Sequence, residues 1–214
     1  MIAPEGWPFV LGSLCLTLGA AAVGWEIPAL VLFAITAFVV FFFRNPTRTC
    51  SLDDEVVCSP ADGKVIVAGP APGGASPAGL PIQVSVFMSV FNVHVNRAPI
   101  DGTLTGYQYN PGRTFAAYKE KASLHNEQNL STWEGPAGMV AMKQIAGLIA
   151  RRIVFDHQPG DGVRRGDRIG LIRFGSRVDV FLPAEAEVLV KMGDHVRAGE
   201  TPLARMSGAA AGDS

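Results

Sequence analysis

Charge is what this chain has least of. Asp, Glu, Lys and Arg make up only 17% of its 214 residues, against about 25% in an ordinary soluble domain. The 18 basic and 19 acidic side chains leave a net charge of −1, so there is no concentrated basic face to recommend a nucleic acid as partner. Cysteine is scarce as well. Cys15, Cys50 and Cys58 are odd in number, have no CxxC spacing, and the first lies within an apolar run. That pattern argues against a disulfide framework or a zinc site and for a reducing compartment. Met1 to Trp7 holds an acid and no base, which does not match the basic n-region of a secretory signal.

Apolar residues, by contrast, are concentrated at the start. One run extends roughly from Pro8 to Val23 and a second from Ile27 or Pro28 to Phe43, with only Gly24-Trp25-Glu26 between them. Almost no polar stripe interrupts either run, as it would in a helix buried on one face only. Each is close to the lower limit for spanning a bilayer, about 17 residues. The second run ends in Phe41-Phe42-Phe43-Arg44-Asn45-Pro46-Thr47-Arg48, aromatics followed by arginines, which suits an anchor at the cytoplasmic face. The expectation is an N-terminal apolar helical hairpin over residues 1–48, lying in or dipping into a membrane.

From residue 49 to 206 the pattern is of short strands punctuated by glycine and proline. Glu55 to Pro60 leads through an Asp62-Gly63 turn signal into Lys64 to Ala68, and Ile82 to Met88 alternates as a half-buried strand does. Pro70 to Pro81 reads as a loop. Met139 to Ile153 begins as a strand, and its part from Gln144 to Arg152 also fits a short helix. Gly160-Asp161-Gly162-Val163-Arg164-Arg165-Gly166 is echoed by Gly193-Asp194-His195-Val196-Arg197-Ala198-Gly199, each copy expected to turn between two short strands. The fold class expected is mostly β within α+β, a barrel-sandwich of the lipoyl-like kind behind the hairpin. Ser207 to Ser214 reads as a flexible tail.

The candidate chemistry lies at Leu171-Ile172-Arg173-Phe174-Gly175-Ser176-Arg177-Val178-Asp179. Taken with Phe42-Phe43-Arg44-Asn45-Pro46, Pro60-Ala61-Asp62-Gly63, Phe91-Asn92-Val93-His94-Val95-Asn96-Arg97-Ala98-Pro99 and Gln144-Ile145-Ala146-Gly147, it forms an ordered set that resembles the phosphatidylserine decarboxylases in their short, membrane-anchored form. A lone Gly-Ser pair would carry no weight. The resemblance implies a proenzyme that cuts itself between Gly175 and Ser176 into a large chain, 1–175, and a small chain, 176–214, which stay together as a heterodimer and can assemble further into homo-oligomers. It implies that Ser176 becomes a covalent pyruvoyl group, the only cofactor, with no metal. That group forms a Schiff base with phosphatidylserine and releases CO2 to give phosphatidylethanolamine. Glycine before the serine suits the step, because a residue without Cβ tolerates the strained backbone that attack on its carbonyl needs.

Serine is a weak nucleophile and requires a base held by a third group. The resemblance implies His94 as that base and Asp62 as its orienter, a triad used once on its own chain. Imidazole titrates near neutrality, so His94 also suits delivery of a proton to the substrate. Longer members carry two histidines three apart in this region, and here Arg97 stands in place of the second, which makes Arg97 a candidate for the substrate's carboxylate or phosphate. His125 is a further candidate for substrate binding. The plainer readings are a turn-shaping aspartate for Asp62, a hydrogen-bonded structural residue for His94, and solvated side chains for His157, His195, Lys119, Lys121, Arg151 and Arg152. The implied partner is phosphatidylserine in the cell membrane, with the catalytic domain peripheral or hairpin-anchored on the cytoplasmic side.

The alternative outside the enzymes is a lipoyl- or biotinyl-like carrier, or a membrane-adaptor or purely structural barrel-sandwich. Lys191-Met192 superficially suits a carrier lysine, but the pair runs straight into Gly193-Asp194, off the tip of a hairpin. A carrier also has no use for a processing site.

Overall fold

The computed structural model describes residues 1–50, 53–72, 76–112, 126–136, 138–147, 152–173 and 175–206. It divides into two compact units, Met1–Thr47 and Arg48–Ser214.

The first unit is the hairpin. Helix α1 covers Trp7–Ala22 and α2 covers Glu26–Phe42, with Gly24 at φ +75° making the turn between them. Thr17 and Thr36 meet across the pair at 3.2 Å, and each hydroxyl also donates to a carbonyl one turn earlier in its own helix. These are the polar contacts an apolar pair can make without water. Large apolar side chains, Leu11, Leu16, Ile27, Leu30 and Phe33 among them, point outward. Among the described residues no helix is long and apolar enough to cross a membrane. The Arg44 guanidinium lies over the Phe41 ring at 3.8 Å.

The second unit is almost entirely antiparallel β. Eight strands form its main sheet: β2 (Gly63–Pro70), β3 (Ile82–Met88), β5 (Gly102–Asn110), β6 (Gln128–Gly135), β7 (Gly138–Ile145), β9 (Gly162–Val163), β11 (Ser176–Leu182) and β13 (His195–Val196). Their order is β13-β2-β3-β11-β7-β6-β5-β9. Two small sheets complete the unit, β1 (Val56–Cys58) with β14 (Pro202–Arg205) and β12 (Glu187–Val188), and β4 (Val95–Arg97) with β10 (Arg168–Ile172) and β8 (Ile153–Phe155). Val65, Val84, Val86, Trp133, Met142, Val178, Val180 and Leu182 pack the core on one face of the main sheet. The protein is thus mostly β with an N-terminal helical pair, as the residue pattern led one to expect. The expected short helix over Gln144 to Arg152 meets a different outcome at its start: Gln144 and Ile145 end β7, where each gains a ladder partner on β6, while residues 148–151 lie outside the described set, as does the tail 207–214.

The Gly-Asp echo extends further than the turns. Gly193 N–H donates to Val65 O and Val65 N–H to Asp194 O, and the same exchange joins Gly160, Leu104 and Asp161. Asp62 Oδ1 accepts from Ala198 N–H at 2.8 Å, and Asp101 Oδ1 from Arg165 N–H at 3.1 Å. The Pro60-Ala61-Asp62-Gly63 turn therefore has a structural counterpart in Pro99-Ile100-Asp101-Gly102, and the two halves meet at Gly166 and Gly199, both left-handed. Cys50 and Cys58 are joined as a disulfide, a correction to the reading from cysteine count. The turn that donates Val56 N–H to Asp53 O folds the segment back, so chain geometry pairs two thiols whose spacing carries no such signal.

Both turn glycines are required by close packing of backbone on backbone. A Cβ at Gly102 would overlap Glu134 O, and one at Gly63 would overlap Phe87 O. Gly102→Ala, away from the candidate site, is expected to destabilise the protein by about 2–4 kcal/mol, read as a lowered midpoint of thermal unfolding of the full chain.

Candidate active site

Strand β11 begins at Ser176 and lies between β3 and β7. Ser176 pairs with Met88, and every residue from there to Leu182 has a partner on β3. Side chains of Ser176, Val178, Val180 and Leu182 face the core, whereas Arg177, Asp179 and Phe181 face the other way. Gly175 precedes the strand at φ +54°, and a Cβ built there meets nothing within 4 Å. Conformation and not space calls for glycine here, since an L-residue would carry a penalty of about 1–2 kcal/mol.

Ser176 is fully buried, and its hydroxyl donates to Met88 Sδ at 3.3 Å. A thioether is a weak acceptor and no base, so in this arrangement the hydroxyl proton is held without being withdrawn. The same sulfur accepts from Asn96 Nδ2 at 3.7 Å, and Asn96 Oδ1 accepts from Gln144 Nε2 at 2.7 Å.

His94 lies just before β4 and is 1% exposed. Its carbonyl accepts from Ile172 N–H at 3.3 Å, which ties it to the strand four residues ahead of Ser176. Its Nδ1 faces Asn92 O at 3.0 Å. A carbonyl oxygen only accepts, so Nδ1 carries the proton and a neutral ring keeps its lone pair on Nε2, the form a general base requires. At Nδ1, where a triad would place a carboxylate, the ring is oriented by backbone.

Asp62 is held elsewhere. Its Oδ2 accepts from Arg48 at 3.0 Å, and Arg48 reaches Glu200 at 2.9 Å. Arg97 donates to Gly166 O at 2.8 Å. Burial and the neighbouring Arg48 charge lower the pKa of Arg97, against the opposing effects of Asp62, Asp167 and Glu200. Arg97 N–H and Asn96 Nδ2 both donate to Pro60 O, so the segments bearing Asp62, Arg97 and Ser176 converge through Pro60, Asn96 and Met88. His125 lies outside the described residues.

Met88, Asn96, Arg48 and Asn92 O were not candidates from sequence. Asn96 alone had a signal, a polar residue at an alternating position beside His94. The other expected surface residues are modest in their contacts: His157 sits 3.6 Å from Asp161 and packs edge-on to Trp133, and His195 is exposed. Arg48, one of the arginines behind the expected sidedness, is committed to Asp62 and Glu200.

The Arg48 hydrogen bond is the leading cause of a Glu200 carboxyl held below its ordinary value of 4.5, with desolvation opposing it. A carboxyl lowered on folding contributes stability that is complete above 4.5 and is lost as pH falls through the lower folded value. Arg48→Met is therefore expected to flatten the loss of stability below pH 4.5, measured as thermal midpoint against pH, while above it the offset from the parent stays constant.

The chain was compared with known proteins. Residues 35–204 match the family model described as phosphatidylserine decarboxylase. Among curated relatives, a phosphatidylserine decarboxylase proenzyme of Magnetococcus marinus is 42% identical over 210 residues, covering 97% of this chain and 96% of its own. The proenzymes so named in Geotalea daltonii and Geobacter metallireducens are 45% and 46% identical, each alignment covering 94% of this chain and 95% of the relative. A match of this extent, on a chain whose Gly175-Ser176 pair opens a buried central strand, means that the protein belongs to the phosphatidylserine decarboxylase family.

Proposed function

We propose that this chain is a phosphatidylserine decarboxylase proenzyme that cuts itself between Gly175 and Ser176. The observation that carries the reading is the placement of Ser176: buried, at the head of β11, behind a left-handed glycine and beside the segment that bears His94.

In this reading His94 Nε2 takes the proton when Ser176 Oγ leaves the Met88 sulfur and attacks the Gly175 carbonyl. The amide nitrogen leaves as the new amino group of Ser176, and the bond becomes an ester. Loss of the Ser176 Cα proton then expels the Gly175 carboxylate and leaves a dehydroalanine, which water converts to a ketone with release of ammonia. Asp62 is assigned the orienting role, supported by its fixed seat on Arg48 and Ala198 N–H. Arg97 and His125 are assigned to the headgroup.

The residues present fit a pyruvoyl group at position 176. The buried start of β11 stays in place through its β3 and β7 pairings, whether or not the preceding peptide bond is intact. The group supplies an electron sink for the bond that loses CO2. His94 would return a proton to the substrate carbon. The outward apolar side chains of the hairpin suit an anchor beside a lipid substrate, with the catalytic unit peripheral on the cytoplasmic side.

Purified protein on a denaturing gel with mass analysis is expected to show chains 1–175 and 176–214, the small one bearing a hydride-sensitive carbonyl. Ser176→Ala should remain one chain. His94→Ala should slow cleavage by about 100-fold or more, the usual worth of a general base. A parent protein that stays intact after long incubation would sink the reading.

A further inference from the structure

Gln144 on β7 and Asn129 on β6 are partners across the ladder, so their side chains leave the sheet on the same face, opposite each other. Both are fully buried. This is the face of Ser176: Gln144 is also the ladder partner of Val178, two residues along β11 from Ser176. A continuous line of contacts joins them, Gln144 to Asn96, Asn96 to Met88 Sδ, and Met88 Sδ to Ser176 Oγ.

These amides have more hydrogen-bonding capacity than partners. Gln144 Oε1 and both Oδ1 and Nδ2 of Asn129 are buried with no hydrogen-bond partner among the described residues. A buried polar group left in this state is costly, and an apolar residue of the same shape would stabilise the strand. The rest of this layer, Val140, Met142, Val178 and Val180, is indeed apolar. The amides therefore interrupt the core at the end nearest Ser176.

What is left over is amide oxygen to accept and an amide NH2 to donate, with no net charge. That set does not suit a phosphate, which asks for donors and cations, nor an acyl chain. It suits a zwitterion. We propose that Gln144 and Asn129 hold the ammonium and carboxylate of the substrate's amino-acid headgroup beside position 176, an inference that rests on the decarboxylase reading above. Neutral donors hold a carboxylate less firmly than a guanidinium does, and so add less to the barrier for losing it as CO2.

The experiment uses Asn129→Leu and Gln144→Met, each purified as full chain and compared with the parent on vesicles of phosphatidylserine in phosphatidylcholine. Self-cleavage by mass, thermal midpoint, and kcat and KM for CO2 release are measured together. Normal cleavage, a thermal midpoint for Asn129→Leu equal to or above the parent's, and kcat/KM lower by about tenfold or more in both variants support the proposal. Variants as active as the parent overturn it, and so do variants that fail to self-cleave, since the amides would then serve processing. A parent that self-cleaves but releases no CO2 from these vesicles overturns the decarboxylase reading, and this inference with it.

Discussion

Strand β11 is hydrogen-bonded along both edges, and the candidate site depends on that double constraint. Seven residues pair with β3 and five of them also with β7. Because strand side chains alternate, a slip of one residue would turn every one to the opposite face. Here that would carry Arg177 and Asp179 into the valine-rich core and take Ser176 away from Met88. Arg177 instead pairs with Asp179 and donates to Ser85 Oγ on the far face. Lys143, the cross-strand partner of Asp179, is half buried there, its pKa lowered by burial against the pull of that carboxylate. Buried ions are weak evidence for stability but effective in fixing register, and the register here decides where Ser176 points.

Around this strand the unit is built twice. Each half folds a Pro-x-Asp-Gly turn against a Gly-Asp turn, with the aspartate accepting from a backbone N–H of the other segment. The correspondence separates two roles for Asp62. Its Oδ1 does what Asp101 Oδ1 does, and belongs to the architecture. Its Oδ2, turned to Arg48, belongs to this half alone. Through Arg48 and Glu200 that half gains a charge network, and Arg97 lies within its field.

The parts of the molecule legible in the residue pattern were those governed by local rules. The hairpin follows from two apolar runs with a three-residue break, β3 from its alternation, and the left-handed turns from their glycines. The Gly175-Ser176 pair was found through its ordered companions, and its burial at a strand head accords with the chemistry proposed for it. The Gln144 segment was ambiguous because short apolar stretches carry no decisive period, and cross-strand pairing settled it as β. Cys50 and Cys58 were misjudged because a pairing made by a turn leaves no mark in their spacing.

By itself the sequence determined the two-part organisation, the β class of the larger unit, the family, and the residues around which the chemistry is proposed. These rest on composition, period and short motifs, which act over a few positions. Only the tertiary structure decided what those residues touch. It set His94 Nδ1 on a backbone carbonyl, Asp62 on Arg48, Ser176 on a methionine sulfur, and two amides in the core without partners. Each of those contacts arises where strands distant in sequence are brought side by side, and no local pattern records which strands will be neighbours.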